Sequence, residues 1–266
     1  MSPAPDGCGE EAVTVSVDGD VAVVTLRRPP HNLLTEVALR QVADALHGLP
    51  GRARAAVLAS EGRSFCAGAN FRSTDAPDPT DEGGFEGRTG AFYTQAARVY
   101  ESPVPVVAAV QGAAIGAGFG LALACDLRVV GTGAWFQANF VRLGIHPGFA
   151  LSRILPEVIG PARAAELFLT GRRLPAEEAC AIGLALRVVP AGDEITEATE
   201  TAAQIAAGAP LAVAATRATL RRGLGAAVRA SMRHELAEQT ALAGTADAIE
   251  GVNAMLEGRA PRFEGR

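Results

Sequence analysis

The chain has 266 residues, with 24 basic and 29 acidic side chains and a formal net charge of −5 at pH 7. Every basic residue is Arg, and the absence of Lys excludes a P-loop, a Lys Schiff base and a Ser–Lys hydrolase, because each of these sites needs a Lys side chain. The mild acidity argues against a nucleic-acid partner, because no basic stripe is available to bind phosphates.

The four cysteines, Cys8, Cys66, Cys125 and Cys180, are scattered without the spacing of a metal site or a redox motif. We therefore expect reduced thiols, two of them buried, and no metal. Residues 1–11 are rich in Pro, Gly and acidic side chains and lack the basic and apolar regions of a signal peptide. They predict a flexible N-terminus and a cytoplasmic protein. The apolar runs are too short to cross a membrane.

The chain opens with a predicted β-hairpin. Two alternating runs, residues 13–17 and Val21–Leu26, flank an Asp-Gly-Asp turn. Thr35 is placed to cap a helix that runs to about His47. Ala55–Ser60 is short and wholly apolar up to its last residue, which predicts a buried strand.

The middle of the chain alternates strand and helix signals. Its segments are a polar loop at 73–84, a helix at about 89–100, a strand at Val106–Val110, a helix at 121–125, and strands at 127–130 and 134–139. The glycine-rich segment 111–120 lies between the strand at Val106–Val110 and the helix at 121–125. Strand–strand–helix units recur loosely along this part of the chain.

The last third of the chain carries helical spacing with Gly or Pro breaks. The predicted helices lie near Leu151–Ile159, 162–169, Ala176–Ala181, 193–207, 211–222 and 225–256. No linker long enough to separate two domains is present. The pattern predicts an α/β protein with a helical C-terminal region.

The glycines of segment 111–120 stand at positions 112, 116, 118 and 120. A dinucleotide fingerprint does not fit this spacing, and no acidic residue ends a second strand about 20 residues later. Two other interpretations remain. The glycines allow a helix to pack closely on a sheet, or they clear room for a ligand oxygen at the helix start, where peptide N–H groups and the helix dipole attract negative charge.

A second segment, SFCAGAN at 64–70, is also small and flexible and follows a predicted strand. One backbone N–H group binds an oxygen weakly. Two that converge from different segments form an oxyanion hole. The pair of segments therefore predicts a site that stabilises a developing oxyanion.

Ordered motifs along nearly the whole chain resemble those of the crotonase family, the enoyl-CoA hydratase/isomerase superfamily. They are LRRPPHNLL at 26–34, SFCAGAN at 64–70, PVVAAVQGAAIGAGFGLALACD at 105–126, LGIHPG at 143–148, the TG at 170–171 with 176–184, and PRFEGR at 261–266. The resemblance implies an α/β fold (α+β by some schemes), a crotonase/ClpP-like spiral of ββα units over residues 12–200. It also implies a helical trimerisation region over 201–266.

The same resemblance implies a ligand, an acyl-CoA thioester, with no permanently bound cofactor. The thioester carbonyl would accept hydrogen bonds from the backbone N–H groups of Ala69 and Ala117, which would form the catalytic oxyanion hole. The residues along the CoA path would be Arg28, Ala67, Ala69, Asn70 and Phe71. Arg28 would be a phosphate partner or an ordinary surface Arg. Assembly as a homotrimer or a dimer of trimers, and a place in fatty acid metabolism, are also implied.

The sequence departs from the family at the positions of the two hydratase glutamates. The first position is Gly120 and the second is Phe140. Neither residue can carry a proton, and the family's isomerases depend on the second position. Because water addition needs a general acid or base, we predict poor hydration activity. Phe140 would instead line a dry acyl pocket.

Other groups near the motifs offer only partial replacements. His146 could act as a base, or could bond to the backbone and help a turn. Asp126 is expected to be structural. Cys66 has no His placed by sequence to activate it as a nucleophile.

Two hypotheses stay open. In the first, the protein is an acyl-CoA lyase or isomerase that relies on the oxyanion hole, with His146 or a substrate group moving the proton. Isomerisation, decarboxylation or C–C cleavage would fit. In the second, it is a non-catalytic acyl-CoA binding or carrier protein.

Overall fold

The computed structural model describes residues 12–70 and 84–266. The predicted flexible N-terminus at 1–11, most of the predicted loop at 73–84, and the candidate Phe71 lie outside the described residues.

The N-terminal hairpin and the first helix form as the sequence predicts. Strands β1 (Val13–Asp18) and β2 (Val21–Leu26) pair antiparallel. Helix α1 (Glu36–His47) begins after Thr35, whose side chain accepts a hydrogen bond from the N–H of Ala38. This satisfies one of the N–H groups that a helix start leaves without a partner.

Three further units repeat the strand–strand–helix order. Their elements are β3 (Ala55–Ser60), β4 (Ser64–Cys66) and α2 (Gly84–Tyr100); β5 (Val106–Val110), β6 (Ala113–Ile115) and α3 (Ala117–Ala124); and β7 (Leu127–Gly131), β8 (Trp135–Gln137), a 3₁₀ helix (Phe140–Leu143) and α4 (Leu151–Ile159). The first strand of each unit joins one sheet and the second strand joins another. The chain therefore winds as a spiral between two sheets.

The remaining elements complete the sheets and cover them. They are α5 (Pro161–Thr170), β9 (Arg173–Pro175), α6 (Ala176–Ala181), β10 (Arg187–Val189), α7 (Glu194–Ala206), α8 (Pro210–Leu220), α9 (Leu224–Leu242) and α10 (Ala246–Glu257). One sheet has the order β1-β2-β3-β5-β7-β10, in which all pairs after the hairpin are parallel. The other has the order β4-β6-β8-β9, with only β9 antiparallel.

The six-stranded sheet is buried on both faces. All six residues of β3 are buried, because the main core covers one face and α7 covers the other. The domain boundary expected at residue 200 falls inside α7, so the helix that closes the spiral sheet continues to Ala206.

Helix α8 is held to the rest of the fold by ion pairs rather than by buried apolar side chains. None of its residues is buried. Asp126 pairs with Arg217 and with Arg221, at 2.9 and 2.7 Å, and also accepts the N–H of Val106 at 2.8 Å. The expected structural role of Asp126 is therefore to anchor α8 and the start of β5.

Several boundaries differ from the sequence prediction. Strands β4 and β6 were not predicted, because three residues are too few to show an alternating pattern. Helix α2 begins at Gly84 rather than 89, and α3 begins at Ala117 rather than 121. The helix predicted at 225–256 is divided into α9 and α10, around Gly244. Within the described residues, no helix is both long and apolar enough to span a bilayer.

Candidate active site

Three parallel strands end at the same edge of the four-stranded sheet. Strands β4, β6 and β8 run side by side in the same direction. The chain therefore leaves them into three neighbouring segments, residues 67–70, 116–120 and 138–140. Both glycine-containing motifs and Phe140 come together at this edge.

The N–H group of Ala69 is directed away from its neighbouring segment. Leu34 donates its N–H to the carbonyl of Gly68 and accepts the N–H of Asn70, both at 2.9 Å. In this parallel pairing, the residue between the two partners turns its own N–H to the opposite side. Ala69 is partly exposed.

The N–H group of Ala117 lies in the first turn of α3. Gly116 adopts φ +52° and ψ −115°, a conformation that only glycine takes readily, and this turns the chain from β6 into the helix. The first intrahelical bond in this turn runs from the N–H of Gly120 to the carbonyl of Gly116, at 3.1 Å. The N–H of Ala117 therefore has no partner within the helix, and Ala117 is partly exposed.

Glycine allows the two segments to touch backbone to backbone. A Cβ atom at Gly118 would lie 2.0 Å from the carbonyl oxygen of Cys66. A Cβ atom at Gly112 would lie 2.0 Å from the carbonyl oxygen of Arg63. The close-packing and the ligand-oxygen interpretations of the glycines are therefore compatible, because the same contact holds the segments of Ala69 and Ala117 together.

Gly120, the predicted first glutamate position, is closed by an aromatic ring. A Cβ atom at Gly120 would lie 2.5–2.6 Å from three atoms of Phe149, including its Cβ. Phe149 is 1% exposed and packs against the rings of Phe92 and Tyr100. Gly120 therefore lacks room for any side chain while Phe149 keeps this position.

Phe140, the predicted second glutamate position, lies on the same side of the helix start. Phe140 is buried, and its ring reaches to 3.8 Å from the position of a Cβ atom on Gly116. Gly116 and Gly120 are four residues apart, so they share one side of the helix start. Two phenylalanine rings cover that side.

A buried glutamate holds the turn that carries Phe149. Glu235 on α9 is fully buried, and one carboxylate oxygen accepts the N–H of Ala150 at 2.7 Å. The other oxygen accepts the N–H and the hydroxyl of Ser152, at 3.1 and 2.5 Å. Burial raises the pKa of Glu235 to about 7, and these hydrogen bonds limit the rise.

Side chains from α2 and α9 form a polar network on the same turn. The Tyr93 hydroxyl donates to Gln239 Oε1 at 2.9 Å, and Gln239 Nε2 donates to the carbonyl of His146 at 2.8 Å. The Tyr100 hydroxyl donates to the carbonyl of Phe149 at 3.2 Å. Residues 146–152 are thus fixed from two helices.

His146 is partly buried at the start of this turn. Its Nδ1 lies 2.7 Å from the carbonyl oxygen of Pro147, so Nδ1 carries the proton in that bond and Nε2 is left as the acceptor of the neutral ring. The ring packs edge-to-face on His234 of α9, with centroids 5.7 Å apart. His146 therefore makes the backbone hydrogen bond expected of a turn residue through Nδ1, and Nε2 remains as a hydrogen-bond acceptor.

The predicted CoA path begins on the segment between β2 and α1. Arg28 is partly buried, and its N–H donates to Oδ1 of Asn32 at 2.9 Å. Ala67 and Asn70 are also partly exposed. Asn32 is fully buried and donates to the carbonyls of Glu61 and Ser64, so it ties this segment to the start of β4.

The cysteine beside the site is not an activated thiol. Cys66 is buried, its Sγ contacts the carbonyl of Gly68, and burial raises its pKa to about 12. A thiol in this state is a poor nucleophile. No group of three or more side chains suited to bind a metal occurs within residues 12–70 and 84–266.

Sequence reasoning missed Phe149, Glu235 and Gln239. One signal was available in α9, where the buried positions are Val228, Met232, Glu235 and Gln239. These positions follow helical spacing, so an acid and an amide occupy a face that should be apolar. Such residues need buried partners.

Comparisons with known proteins agree with this architecture. The enoyl-CoA hydratase/isomerase family matches residues 16–266. The probable enoyl-CoA hydratases of Rhodobacter capsulatus and Bacillus subtilis are 37% and 32% identical, and the matches cover 96% of this chain and 98% and 99% of theirs. A solved enoyl-CoA hydratase/isomerase from Pseudoalteromonas atlantica has a TM-score of 0.84 and 30% identity, and covers 96% of this chain and 100% of its own. The likeness confirms the predicted spiral fold.

Proposed function

The chain belongs to the enoyl-CoA hydratase/isomerase family, and we propose that it binds an acyl-CoA thioester between the N–H groups of Ala69 and Ala117. Two observations support this. Both residues are partly exposed, and the contact of Gly118 with Cys66 holds their segments together. A thioester oxygen that gains negative charge would be stabilised there, and each such donor is typically worth about 3–4 kcal/mol. The CoA moiety would pass Arg28, Ala67, Asn70 and Phe71.

We further propose that hydration of an enoyl-CoA is slow in this protein. The observation that carries this proposal is the pair of rings, Phe140 at one glutamate position and Phe149 against the other. General acid–base catalysis is commonly worth about 10²–10⁴-fold in rate. The buried carboxylate of Glu235 accepts three hydrogen bonds from Ala150 and Ser152, in the turn that carries Phe149, and is committed to them.

The reactions that suit such a site are those that need mainly an oxyanion hole. Isomerisation, decarboxylation and C–C cleavage of an acyl-CoA pass through an enolate-like oxyanion, and a substrate group or His146 would move the proton. The acceptor Nε2 of His146 supports this role, because the other nitrogen bonds to the carbonyl of Pro147. The protein would then be a lyase or isomerase.

The second candidate is a non-catalytic acyl-CoA binding or carrier protein. The buried ring of Phe140 favours it, since an apolar side chain at a carboxylate position gives a dry acyl pocket. The oxyanion-type segments support both candidates equally.

An acyl-CoA panel analysed by mass spectrometry tests both candidates. We expect bound thioesters in every case. Converted products support the enzyme, and retention without conversion supports the carrier. Crotonyl-CoA hydration should be slower by about 10²-fold or more than in a relative with both glutamates. A normal hydration rate from the pure protein would contradict the proposal.

His146→Ala is the variant that separates the proton carriers. If His146 moves the proton, turnover falls while thioester affinity stays within about threefold. Unchanged turnover assigns the proton transfer to a substrate group. His234→Ala is the matched control, since it removes the neighbouring ring on α9.

We propose self-association through the C-terminal helices, as a homotrimer or a dimer of trimers, and a cytoplasmic location. Helix α8 supports self-association, because Leu211 and Leu220 are 87% and 81% exposed. Light scattering should give a mass of three or six chains, and Leu211→Glu with Leu220→Glu should lower it. A monomeric wild-type protein would contradict this.

A further inference from the structure

The turn at residues 148–152 shapes the side of α3 that the hydratase positions occupy. Phe149 and Ala150 are consecutive non-glycine residues with φ of +63° and +56°. L-residues adopt this left-handed region at a cost in free energy, so surrounding contacts must hold the turn. This conformation of the turn places the Phe149 ring beside Gly120.

The contact that holds the Ala150 end of the turn comes from a distant part of the chain. Ala150 is the residue before α4 and has no side chain that can cap the helix. Glu235, 85 residues away, supplies both oxygens to the N–H groups of Ala150 and Ser152 and to the Ser152 hydroxyl. A negative charge at a helix N-terminus is also favourable toward the helix dipole.

We propose that Glu235 is a positioning residue of the acyl pocket: by binding the N–H of Ala150, it keeps the Phe149 ring against Gly120 and so sets the width of the pocket. Because the Phe149 ring narrows the pocket, the protein should bind unbranched acyl groups more tightly than branched ones. This rests on the proposed function only in that the pocket holds an acyl group.

At pH 8, where the carboxylate of Glu235 is ionised because its pKa is about 7, replacement by Gln isolates the effect of the carboxylate. The amide keeps the size of the side chain but presents one acceptor oxygen, and its NH₂ group faces an N–H or O–H donor. The turn then loses at least one of its three hydrogen bonds. Ser152→Ala removes the hydroxyl bond alone and serves as a milder second variant.

The first measurement needs no ligand. In protein with isotope-labelled phenylalanine, the NMR signal of the Phe149 ring is assigned by its loss in Phe149→Leu. We expect this signal to move in Glu235→Gln and, by less, in Ser152→Ala. The matched control is Glu194→Gln, because Glu194 is also buried and accepts the N–H of Gly192 in the turn that precedes α7. A Phe149 signal that stays in place in Glu235→Gln overturns the proposal.

The second measurement is the ratio of the Kd values for pivaloyl-CoA and butyryl-CoA. Phe149→Ala should lower this ratio about tenfold by opening space beside Gly120. Glu235→Gln should lower it about threefold, and should have no further effect when Phe149→Ala is already present. A merely structural role would weaken both ligands equally. An unchanged ratio, or an effect that persists without the ring, overturns the proposal. Failure of both thioesters to bind wild type contradicts the proposed function instead, and the NMR result still decides the role of Glu235.

Discussion

The start of α3 has two sides that are built in different ways. On one side, Gly118 lies against the backbone of Cys66, and the groups proposed to bind the ligand are the backbone N–H groups of Ala69 and Ala117. On the other side, Gly120 lies against the Phe149 side chain. A backbone site depends on how closely two segments approach, whereas a side-chain site depends on which residue stands at one position. The backbone site can therefore be retained while the residues of the side-chain site are replaced.

The largest expected effect is on the backbone side. In Gly118→Ala the added methyl group would lie 2.0 Å from the carbonyl oxygen of Cys66, and both segments are held by the sheet. We expect little folded protein, and at least about 100-fold weaker thioester binding in any that folds. Thermal unfolding and calorimetric titration measure this. Gly133→Ala is the control, because no atom lies within 4 Å of its added Cβ. Wild-type melting and affinity in Gly118→Ala would contradict the backbone account.

The next prediction concerns the side of α3 that faces Phe149, and it restores glutamates at the two predicted positions. Glutamates at both positions, through Gly120→Glu and Phe140→Glu, should add no hydratase activity, because the Phe149 ring blocks residue 120. Adding Phe149→Gly, which removes the Cβ atom as well as the ring and suits the φ of +63° at this position, should raise crotonyl-CoA hydration by about 10²-fold over wild type. The assay follows loss of the enoyl absorbance.

The same gain with Phe149 intact would mean that the ring does not block the position. No gain in the triple variant, with folding and thioester binding retained, would mean that the two sides are not independent.

A third prediction concerns stability against pH. Burial raises the pKa of Glu235 from 4.5 to about 7, so the folded protein binds a proton that the unfolded chain releases between these values. The stabilisation from this group is complete below pH 4.5 and is lost as pH rises through 7. The free energy of unfolding of wild type, relative to Glu235→Gln, should fall by about 3 kcal/mol between pH 4.5 and 8.

Denaturant titrations at several pH values measure this difference. Ser152→Ala should move the midpoint upward, because the Ser152 hydroxyl bond lowers the pKa of Glu235. A difference that stays flat across the range would contradict the buried position of the carboxylate.

The smallest effect is expected at Cys66. Its thiol is buried and its pKa is raised to about 12, so it contributes packing and not chemistry. Cys66→Ala should destabilise the protein by about 1 kcal/mol and leave thioester affinity and any turnover within about twofold. Thermal unfolding and the acyl-CoA panel measure this. A loss of turnover with affinity retained would make the thiol a reactive group.

Much of the framework followed from the sequence. The hairpin, the Thr35 cap, the buried strand Ala55–Ser60 and the two glycine-containing segments are local patterns, and each is present in the structure. The short strands β4 and β6 were missed, because three residues carry no period and pairing with distant neighbours decides them. The sites of Ala69 and Ala117 were predicted from motifs, and their placement at one sheet edge came from that pairing.

The sequence by itself determined that positions 120 and 140 hold no acid, because that is a matter of residue identity. Only the tertiary structure decided what fills the space. The Phe149 ring reaches Gly120 through a left-handed turn, and the turn is held by Glu235, 85 residues from Ala150. Local periodicity carries no information about such a contact, since its partners meet only when α9 folds back onto the spiral.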